Sequence, residues 1–476
     1  MKKNIYIRVD GNSEIGLGHL FRCLALSQML NEDFNIHFVS KEIPANFITL
    51  LSENNVKIIV IKSENEIFNF ILKGDIVVID SYSLDSNYHD SIKDKECVIV
   101  CIDDIHDKTF NCDLIINHSE GISPINYKTK KSRPIFALGL DYVLLRKSFL
   151  EIDNNTNNKT DITICFGGSD PKNLTKSVLE ILLMKNVKEI INVIVGSANN
   201  HYNQLLKEFN SNELINFLYD ISEKEVIKTF NRSKFAIVPC SGILLEAIAC
   251  GTIPISGYYI ENQKNIYKNL LRKKAFIDVN NFELKNISSA IDKFNKEDYD
   301  INQIIDLKSD KRLKKLFSTL NKVNDLKLEI ISTNDIEVTY HWANNSIIRA
   351  FSFNKSHIEF EDHKRWITNK IDNLNCSYYI AVYKDSKIGS IRFDIEKENA
   401  TISYLLDPKF HGQGFGILIL KKGLENFIRK IKERKIKQII GLVEKNNVAS
   451  VNAFKKLGFK FTIDGELYKF YLDYEN

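Results

Sequence analysis

A glycine-rich turn followed by a helical pattern is the first feature of the sequence with clear chemical potential. Gly16, Gly18 and His19 directly precede the apolar run LFRCLALSQML (20–30). Because a helix N-terminus attracts anions and disfavours cations, a histidine in the first helical turn is expected to stay neutral. A neutral imidazole suits a general base, although a tight turn that merely carries a histidine gives the same local pattern.

A second loop of this kind is FGGSDP (166–171), between an apolar run and a helical pattern. The backbone amides of Gly167, Gly168 and Ser169 can cradle a phosphate there. A turn in which Ser169 or Asp170 caps the helix explains the same residues.

A third loop, at Ser241 and Gly242, places Glu246 one turn into the next helix. A carboxylate there can accept two sugar hydroxyls, or it can simply favour the helix dipole by ~0.3–1 kcal/mol. Asn262 and Gln263 follow the next apolar strand, and adjacent amides of this kind offer donors and acceptors to a sugar.

A fourth loop follows the strand ISYLL (402–406) and leads into the helical run ILILKKGLENFIRKI (417–431). The amides of such an xGxGxG turn at a helix N-terminus bind a pyrophosphate. The next strand, IIGLVE (439–444), leads into Asn446 and Asn447, which is not the pattern of a dinucleotide-binding fold.

The elements that must position these loops fall into two kinds. Short β-branched runs alternate with longer helical patterns over about the first 320 residues, which predicts parallel sheets. The polar segment EIDNNTNNKT (151–160) divides this alternating region into two parts. Further along the chain, an antiparallel hairpin is predicted around residues 384–387. We predict an α/β fold of two Rossmann-like domains, 1–150 and 151–326, facing each other across a cleft, followed by an α+β domain, 327–476. Separate cores would let cleavage near Asp325 leave two active pieces.

The net charge is small, with 65 Lys and Arg against 61 Asp and Glu, which argues against nucleic acid or a membrane surface as partner. From Lys327 onward the chain carries +5, so an anionic ligand belongs first to the last third. No window approaches the ~18 apolar residues of a membrane helix, and we expect an unprocessed, cytoplasmic chain. The eight cysteines lack a CxxC pair, which predicts buried free thiols, and no metal-ligand pattern accompanies the motifs. The sequence does not determine the oligomeric state.

Taken in order, the motifs of the first 325 residues resemble the UDP-sugar hydrolases of pseudaminic acid biosynthesis, relatives of the two-Rossmann-domain (GT-B) glycosyltransferases. The matching motifs are RVDG (8–11), GLGHLFRC (16–23), DSY (80–82), CIDDI (101–105), LGLDYVLLR (138–146), FGGSDP (166–171), the Ser-Gly loop with Glu246, and ENQ (261–263).

This resemblance implies that His19 activates the water that attacks C1 of a UDP-linked 2,4-diacetamido-2,4,6-trideoxy-β-L-altropyranose, with inversion and without a metal. Arg8, Arg22 and Arg146 are candidates for charge support. The implied substrate-binding residues are Gly16, Gly18, Asp80, Tyr82, Arg146, Gly167, Gly168, Ser169, Ser241, Gly242, Glu246, Asn262 and Gln263.

The C-terminal motifs resemble the GCN5-related N-acetyltransferases (GNAT), in which the glycine loop holds the pyrophosphate of acetyl-CoA and splayed strands hold its pantetheine. The segment 341–367 is similar to the substrate-side helices of members that acetylate UDP-4-amino sugars or protein N-termini. In it, His363 and Glu361 either assist amine deprotonation or are surface residues. The implied acetyl-CoA-binding residues are Leu405, Leu406, His411, Gly412, Gln413, Gly414, Phe415, Gly416, Asn447 and Asn452.

The sequence departs from these patterns at three positions. Ile243 stands where the hydrolases have a small residue, and His411 stands where the acetyltransferases usually have Arg or Gln. Phe454 replaces a tyrosine that protonates the departing thiolate in many acetyltransferases. Tyr404 and Tyr468 are alternative proton donors or core aromatics.

We therefore predict a bifunctional enzyme of nonulosonate biosynthesis. It N-acetylates UDP-4-amino-4,6-dideoxy-β-L-AltNAc with acetyl-CoA and releases UDP from the product. One alternative is a glycosyltransferase fused to an acetyltransferase, with His19 as acceptor base. The other is a non-catalytic sugar-nucleotide-binding protein with a degenerate acetyltransferase, which Phe454 favours.

Overall fold

Three large β-sheets organise the chain. The computed structural model describes residues 2–12, 16–130, 133–152, 159–294, 301, 304–431 and 434–474, apart from the side chains of residues 262 and 294. Part of the predicted boundary segment, 153–158, lies outside this description. All eight cysteines lie within it, buried and with free thiols, as predicted. In the described ranges no helix is long and apolar enough to cross a membrane.

Strands and helices alternate along the first 150 residues. The strands are β1 (Asn4–Val9), β2 (Asn35–Ser40), β3 (Lys57–Val60), β4 (Ile76–Asp80), β5 (Val98–Ile102), β6 (Thr109–Phe110), β7 (Leu114–Asn117), β8 (Lys128–Thr129) and β9 (Ile135–Leu138). The helices are α1 (Gly18–Leu30), α2 (Ala45–Glu53), α3 (Ser86–Lys93) and α4 (Lys147–Leu150). Seven strands form a parallel sheet in the order β3-β2-β1-β4-β5-β7-β9, so the order reverses between β1 and β4. Such a reversal opens a crevice at the carboxyl ends of the strands.

The second sheet repeats this arrangement with six parallel strands, and the predicted parallel character of both sheets is confirmed. Its strands are β10 (Asp161–Cys165), β11 (Ile191–Val195), β12 (Ile215–Tyr219), β13 (Ser233–Pro239), β14 (Ile253–Gly257) and β15 (Ile277–Asn280), in the order β12-β11-β10-β13-β14-β15. The helices are α5 (Leu174–Met184), α6 (Tyr202–Phe209), α7 (Glu223–Arg232), α8 (Gly242–Ala249), α9 (Lys264–Arg272), α10 (Leu284–Phe294) and α11 (Ser309–Leu320).

The third sheet is mixed and mostly antiparallel. Its strands are β16 (Leu326–Ile330), β17 (Cys376–Tyr383), β18 (Ser386–Glu396), β19 (Asn399–Leu406), β20 (Gln438–Glu444), β21 (Lys460–Asp464) and β22 (Leu467–Asp473), in the order β16-β17-β18-β19-β20-β22-β21. The helices are α12 (Ile336–Asn344), α13 (Ser346–Arg349), α14 (Phe360–Ile371), α15 (Phe415–Lys430) and α16 (Val448–Lys456). β17 and β18 form the predicted hairpin, which turns at Lys384 and Asp385.

The first and third sheets share one hydrophobic core. Leu313, Leu316, Phe317 and Leu320 of α11 belong to a buried cluster that runs from β1 through α11 to α15 and β22. The expectation of separate cores on either side of Asp325 is therefore wrong, because α11 fills a common apolar space.

A buried ion pair crosses the same boundary. Lys421 of α15 is 3% exposed and lies 3.2 Å from Asp113, next to β7, and it also pairs with Glu425. Lys93 of α3 pairs with the other oxygen of Asp113. Burial opposes ionisation of Asp113, but Lys93 and Lys421 hold its pKa well below the usual range. Separating the two parts would break the Lys421–Asp113 pair and expose the shared apolar core, so we expect cleavage near residue 325 to damage both.

Candidate functional site

The first site lies at the carboxyl edge of the first sheet, where the strand order reverses. His19 is in the first turn of α1, and Asp80 ends β4. Because β1 and β4 are neighbours, these residues meet although they are 61 positions apart, and His19 Nδ1 lies 2.7 Å from Asp80 Oδ1. Both side chains are almost fully buried.

Arg22, one turn after His19, neutralises this carboxylate. Its Nε and Nη2 atoms donate to Asp80 over 2.6 and 2.5 Å, and Nη1 donates to Asp104 over 2.8 Å. Burial alone would raise the pKa of Asp80, but Arg22 and His19 hold it well below its usual range. Arg22 Nη2 also lies 2.9 Å from His19 Nδ1, but the ionised Asp80 oxygen is closer, at 2.7 Å. A proton on Nδ1 that points to this carboxylate leaves Nε2 of His19 to accept a proton.

Three further polar residues lie beside this group. The Tyr82 ring contacts His19 edge-on, and its hydroxyl donates to Asp104 over 3.0 Å. Asp104 Oδ1 is buried and has no hydrogen-bond partner among the described residues. His118 directly follows β7, and burial together with Arg22 lowers its pKa to about 4. His118 is not among the residues predicted from the sequence, although its position directly after a strand of this edge is a signal that could have found it.

An ion pair between Arg146, just before α4, and Glu246 of α8 connects the part of the chain that carries the first sheet to the part that carries the second. Arg146 Nη2 lies 2.8 Å from Glu246 Oε1, and Nη1 lies 3.3 Å from Glu223. The guanidinium also lies over the Phe149 ring, 4.9 Å from its centre. Arg146 thus positions Glu246 at the start of α8, and the Glu246 side chain keeps 14% exposure.

The starts of α5 and α8 differ in the donors that they leave free. The buried Asp170 carboxylate accepts the amides of Leu174 and Thr175, both over 2.9 Å, so the first turn of α5 is already capped. Ser241 at the start of α8 makes no side-chain cap hydrogen bond, and Gly242 faces open space. An anion between the sheets would therefore find free helix donors at α8.

The other predicted residues are distributed around these loops. Gly16 has a positive φ of 82°, and Gly18 is exposed at the start of α1. Gln263 is buried and accepts the amide of Tyr259 over 3.0 Å, which gives it a structural role. The side chain of Asn262 lies outside the described residues. The residues with open or exposed positions on the loop before α5 are Gly167, Gly168 and Ser169.

Arg8 does not supply charge to a ligand. It is 1% exposed, and it pairs with Asp10 and Glu64, each over 2.7 Å. Asp10 also accepts the amides of Lys41 and Glu42. The RVDG motif therefore secures the end of β1.

The second site is built on the third sheet, where β19 leads through the glycine loop into α15. Gly412 and Gly414 have φ values of +75° and +86°, which favour glycine. A Cβ atom on Gly414 would lie 2.0 Å from Thr319 Oγ1, so a side chain does not fit there. His411, Gly412 and Gln413 are exposed before the N-terminus of this 16-residue helix, as a pyrophosphate site requires.

The strands beside this loop separate as predicted. β19 and β20 pair only as far as Ile402 and Gly441, although β19 continues to Leu406, so Leu405 and Leu406 lie where pairing with β20 has ended. Asn452 is exposed on α16. Asn447 caps α16 by accepting the amide of Ser450 over 3.2 Å, and this occupies its side-chain oxygen.

A cavity of 380 Å³ lies between α12, α14 and this sheet. His363 lines it, with Nε2 3.0 Å from Thr339 Oγ1, and burial lowers the pKa of His363. The surface interpretation of His363 is therefore wrong, whereas Glu361 is exposed. The other polar and aromatic lining residues include Trp366, Tyr378, Ser390, Arg392, Ser403 and Tyr404.

Tyr404 and Phe454 have different surroundings. Phe454 is 2% exposed and stacks on Phe470 in the core. Tyr404 lines the cavity, and its hydroxyl lies 2.9 Å from Ser450 Oγ. Tyr468 is partly buried and packs against Phe470 at the edge of the core. Of the two alternative tyrosines, only Tyr404 is at the cavity.

Within the described ranges no group of three or more His, Cys, Asp and Glu side chains is arranged to hold a metal ion.

Comparisons with known proteins match the two parts of the chain separately. Residues 325–460 match the family model of the acetyltransferase (GNAT) domain. The UDP-2,4-diacetamido-2,4,6-trideoxy-β-L-altropyranose hydrolase of Campylobacter jejuni is 26% identical over 282 residues, which cover 56% of this chain and 96% of the hydrolase. An uncharacterised protein of Methanocaldococcus jannaschii is 25% identical over 495 residues, which cover 97% of both chains.

Solved structures match about the last third of the chain. A domain from Methanocaldococcus jannaschii is 22% identical, with a TM-score of 0.28, and the match covers 31% of this chain and 98% of the domain. The spermidine N-acetyltransferase of Vibrio cholerae, in complex with CoA and spermine, is 17% identical with a TM-score of 0.28 and covers 32% of this chain and 96% of that enzyme.

A GNAT acetyltransferase domain takes its acyl group from acetyl-CoA, so acetyl-CoA is the co-substrate of the C-terminal part. The chain therefore combines, on one polypeptide, an N-terminal region similar to the altropyranose hydrolase with a C-terminal acetyltransferase domain of the GNAT type.

Proposed function

We propose that the chain is a bifunctional enzyme that first N-acetylates UDP-4-amino-4,6-dideoxy-β-L-AltNAc and then hydrolyses the resulting UDP-2,4-diacetamido-2,4,6-trideoxy-β-L-altropyranose. Two Rossmann-like domains in a GT-B-like arrangement, residues 1–150 and 151–326, carry out the hydrolysis, and residues 327–476 carry out the acetylation. The observation that carries this proposal is the Asp80–His19 pair at the switch point of the first sheet, in a region similar to that hydrolase.

In the hydrolytic step, His19 Nε2 removes a proton from water, which attacks C1 from the face opposite UDP, and the C1–O bond to UDP breaks. Asp80 stabilises the imidazolium that forms, and Arg22 keeps Asp80 ionised. Tyr82 lies against the imidazole and orders this side of the site.

The leaving diphosphate is stabilised by the uncapped start of α8 at Ser241 and Gly242. Glu246, held by Arg146, accepts hydrogen bonds from the ribose hydroxyls. Ile243, half-buried directly after this loop, keeps its own backbone amide, so its larger side chain removes no helix donor.

In the acetylation step, the amine enters the cavity that His363 lines. Burial keeps this imidazole neutral, so it can accept the proton that the ammonium form must lose before attack on the thioester. Tyr404 supplies the proton to the departing thiolate in place of the missing tyrosine at Phe454.

A neighbouring cavity, also of 380 Å³, supports an anionic acceptor. Arg349, Lys355 and His357 line it, and Arg349 Nε is buried without a partner among the described residues. Asn344 lines this cavity, and Ile358 lines the cavity of the amine. Because the two residues are hydrogen-bonded to each other, the cationic cavity lies beside the amine cavity. The diphosphate of a UDP-linked amine fits this cationic cavity better than a positively charged, polyamine-like acceptor does.

The test is to incubate the full chain with the diacetamido sugar nucleotide in EDTA and without any acceptor, and separately to supply the 4-amino sugar nucleotide with acetyl-CoA. We expect UDP release in the first reaction and CoA release in the second. An absolute need for an acceptor would indicate a glycosyltransferase, and absence of both products would indicate a binding protein. A strict requirement for magnesium or manganese would contradict the proposed metal-independent hydrolysis.

A further inference from the structure

The glycine loop of the acetyltransferase is supported by a helix that lies outside the matched acetyltransferase domain. α11 packs in the core shared with the first sheet, and its C-terminal end reaches the loop. Thr319, 3% exposed, fills the space beside Gly414. Lys322, just after α11, donates from Nζ to the carbonyl of Gln413 over 2.7 Å and lies over the Phe415 ring.

This contact fixes the direction of a loop amide. A trans peptide is planar, so the carbonyl of Gln413 and the amide of Gly414, which share one peptide group, point in opposite directions. An ammonium group that holds the carbonyl therefore stands behind the peptide and leaves the amide free on the other side. It also polarises the peptide, which strengthens that amide as a donor to an anion.

The positive charge of Lys322 also favours binding of a pyrophosphate at the loop. Lys322 is half-buried, and its pKa is lowered by burial, so its ammonium group is partly removed from water. Electrostatic attraction to a nearby pyrophosphate is less screened in such a position than at a fully exposed one.

From these contacts we infer that Lys322 is a positioning residue for acetyl-CoA, and that Lys322 and Thr319 make the pyrophosphate loop depend on the hydrolase-like part of the chain. The inference rests on the assignment of acetyl-CoA to this loop. It extends that assignment to Lys322, which lies between the end of α11 and the start of the matched acetyltransferase domain.

The experiment is calorimetric titration of the full chain with CoA and with 3′-dephospho-CoA, which share the pyrophosphate and differ in the ribose phosphate. Lys322→Met should raise the Kd for both ligands by about tenfold, the size expected for one charge-assisted hydrogen bond. Lys322→Arg should restore most of the affinity because it keeps a cationic donor. Lys315→Met, which removes an exposed lysine from α11, should leave both Kd values unchanged.

The outcomes separate this inference from the proposed function. Failure of the wild-type chain to bind CoA would overturn the assignment of the loop and the inference together. Normal CoA binding by Lys322→Met would overturn the inference alone, as would equal losses in Lys322→Met and Lys322→Arg. A loss seen with CoA but not with 3′-dephospho-CoA would assign Lys322 to the 3′-phosphate and would also overturn it.

Discussion

The two sites use buried histidines that are kept available for proton transfer in different ways. His19 is paired with Asp80, and Arg22 balances the carboxylate, so the imidazole is oriented by charge. His363 has a hydroxyl partner, Thr339, and its pKa is lowered by burial. A charge-oriented base can stabilise its own imidazolium during the reaction, whereas burial disfavours the imidazolium of His363, so this histidine is unprotonated and available near neutral pH but is the weaker base. The difference fits water activation at the first site and amine deprotonation at the second.

The largest expected effect is at the first histidine. His19→Asn should lower the rate of UDP release from the diacetamido sugar nucleotide by at least ~10²-fold, because a general base is lost. UDP binding, measured by titration, should be retained. Transfer of acetyl groups by the same variant is the internal control, and near-wild-type UDP release would contradict the role of His19.

The shared core gives the next prediction, about stability. Lys421→Met removes the cation that pairs with Glu425 and one of the two that pair with the buried Asp113, leaving Lys93 as its remaining cation, and should lower the free energy of unfolding by about 3 kcal/mol, measured by urea denaturation. Lys460→Met is the matched control, because Lys460 pairs with Asp473 at the surface and its loss should leave the free energy of unfolding almost unchanged. Similar values for both variants would show that the buried pair does not join the two parts.

The next prediction concerns Tyr404, the proposed proton donor at the acetyltransferase cavity. Tyr404→Phe should lower the rate of acetyl transfer by about tenfold, since the thiolate then leaves without a positioned acid. Tyr468→Phe removes a hydroxyl from an aromatic ring at the edge of the core and should have little effect. If the two variants had equal rates, another group or solvent would supply the proton.

The smallest expected effect concerns His118 beside the first site. The pKa of His118, about 4, lies below the usual value of 6.5. As the pH falls, this histidine is therefore protonated first in the unfolded chain, and the free energy of unfolding decreases between about pH 6.5 and pH 4. Between about pH 7 and pH 5.5 this amounts to about 1 kcal/mol. His118→Gln should lose about that part of the acid dependence in urea denaturation. An unchanged pH dependence would show that His118 titrates normally in the folded protein.

Sequence patterns located the local parts of this molecule but not the contacts between them. The positions of His19 and of the glycine loop before α15 follow from strand and helix signals a few residues away. The partnership of His19 with Asp80 depends on which strands are neighbours, and the resemblance, not periodicity, included Asp80. The roles of Arg8 and Asp170 were open because a buried ion pair and a helix cap leave the same residue types as a ligand site.

The junction between the parts was least accessible to sequence reasoning. α11 has an ordinary amphipathic pattern, and nothing in that pattern states that its apolar face fills a core common to two sheets. In the sequence Lys421 is one of several lysines in a helical run, and its buried partner Asp113 lies more than 300 positions away.

The central claim is that acetylation precedes hydrolysis, and UDP release from the 4-amino sugar nucleotide tests it most directly. The unacetylated amine is a cation near neutral pH and would have to be desolvated in the hydrolytic site, which costs free energy unless it is paired. UDP release should therefore be slow without acetyl-CoA, fast when acetyl-CoA is added, and slow again in Gly414→Leu with acetyl-CoA present, because the larger side chain collides with Thr319 and distorts the acetyl-CoA loop. Equal rates of UDP release in all three conditions would contradict the account.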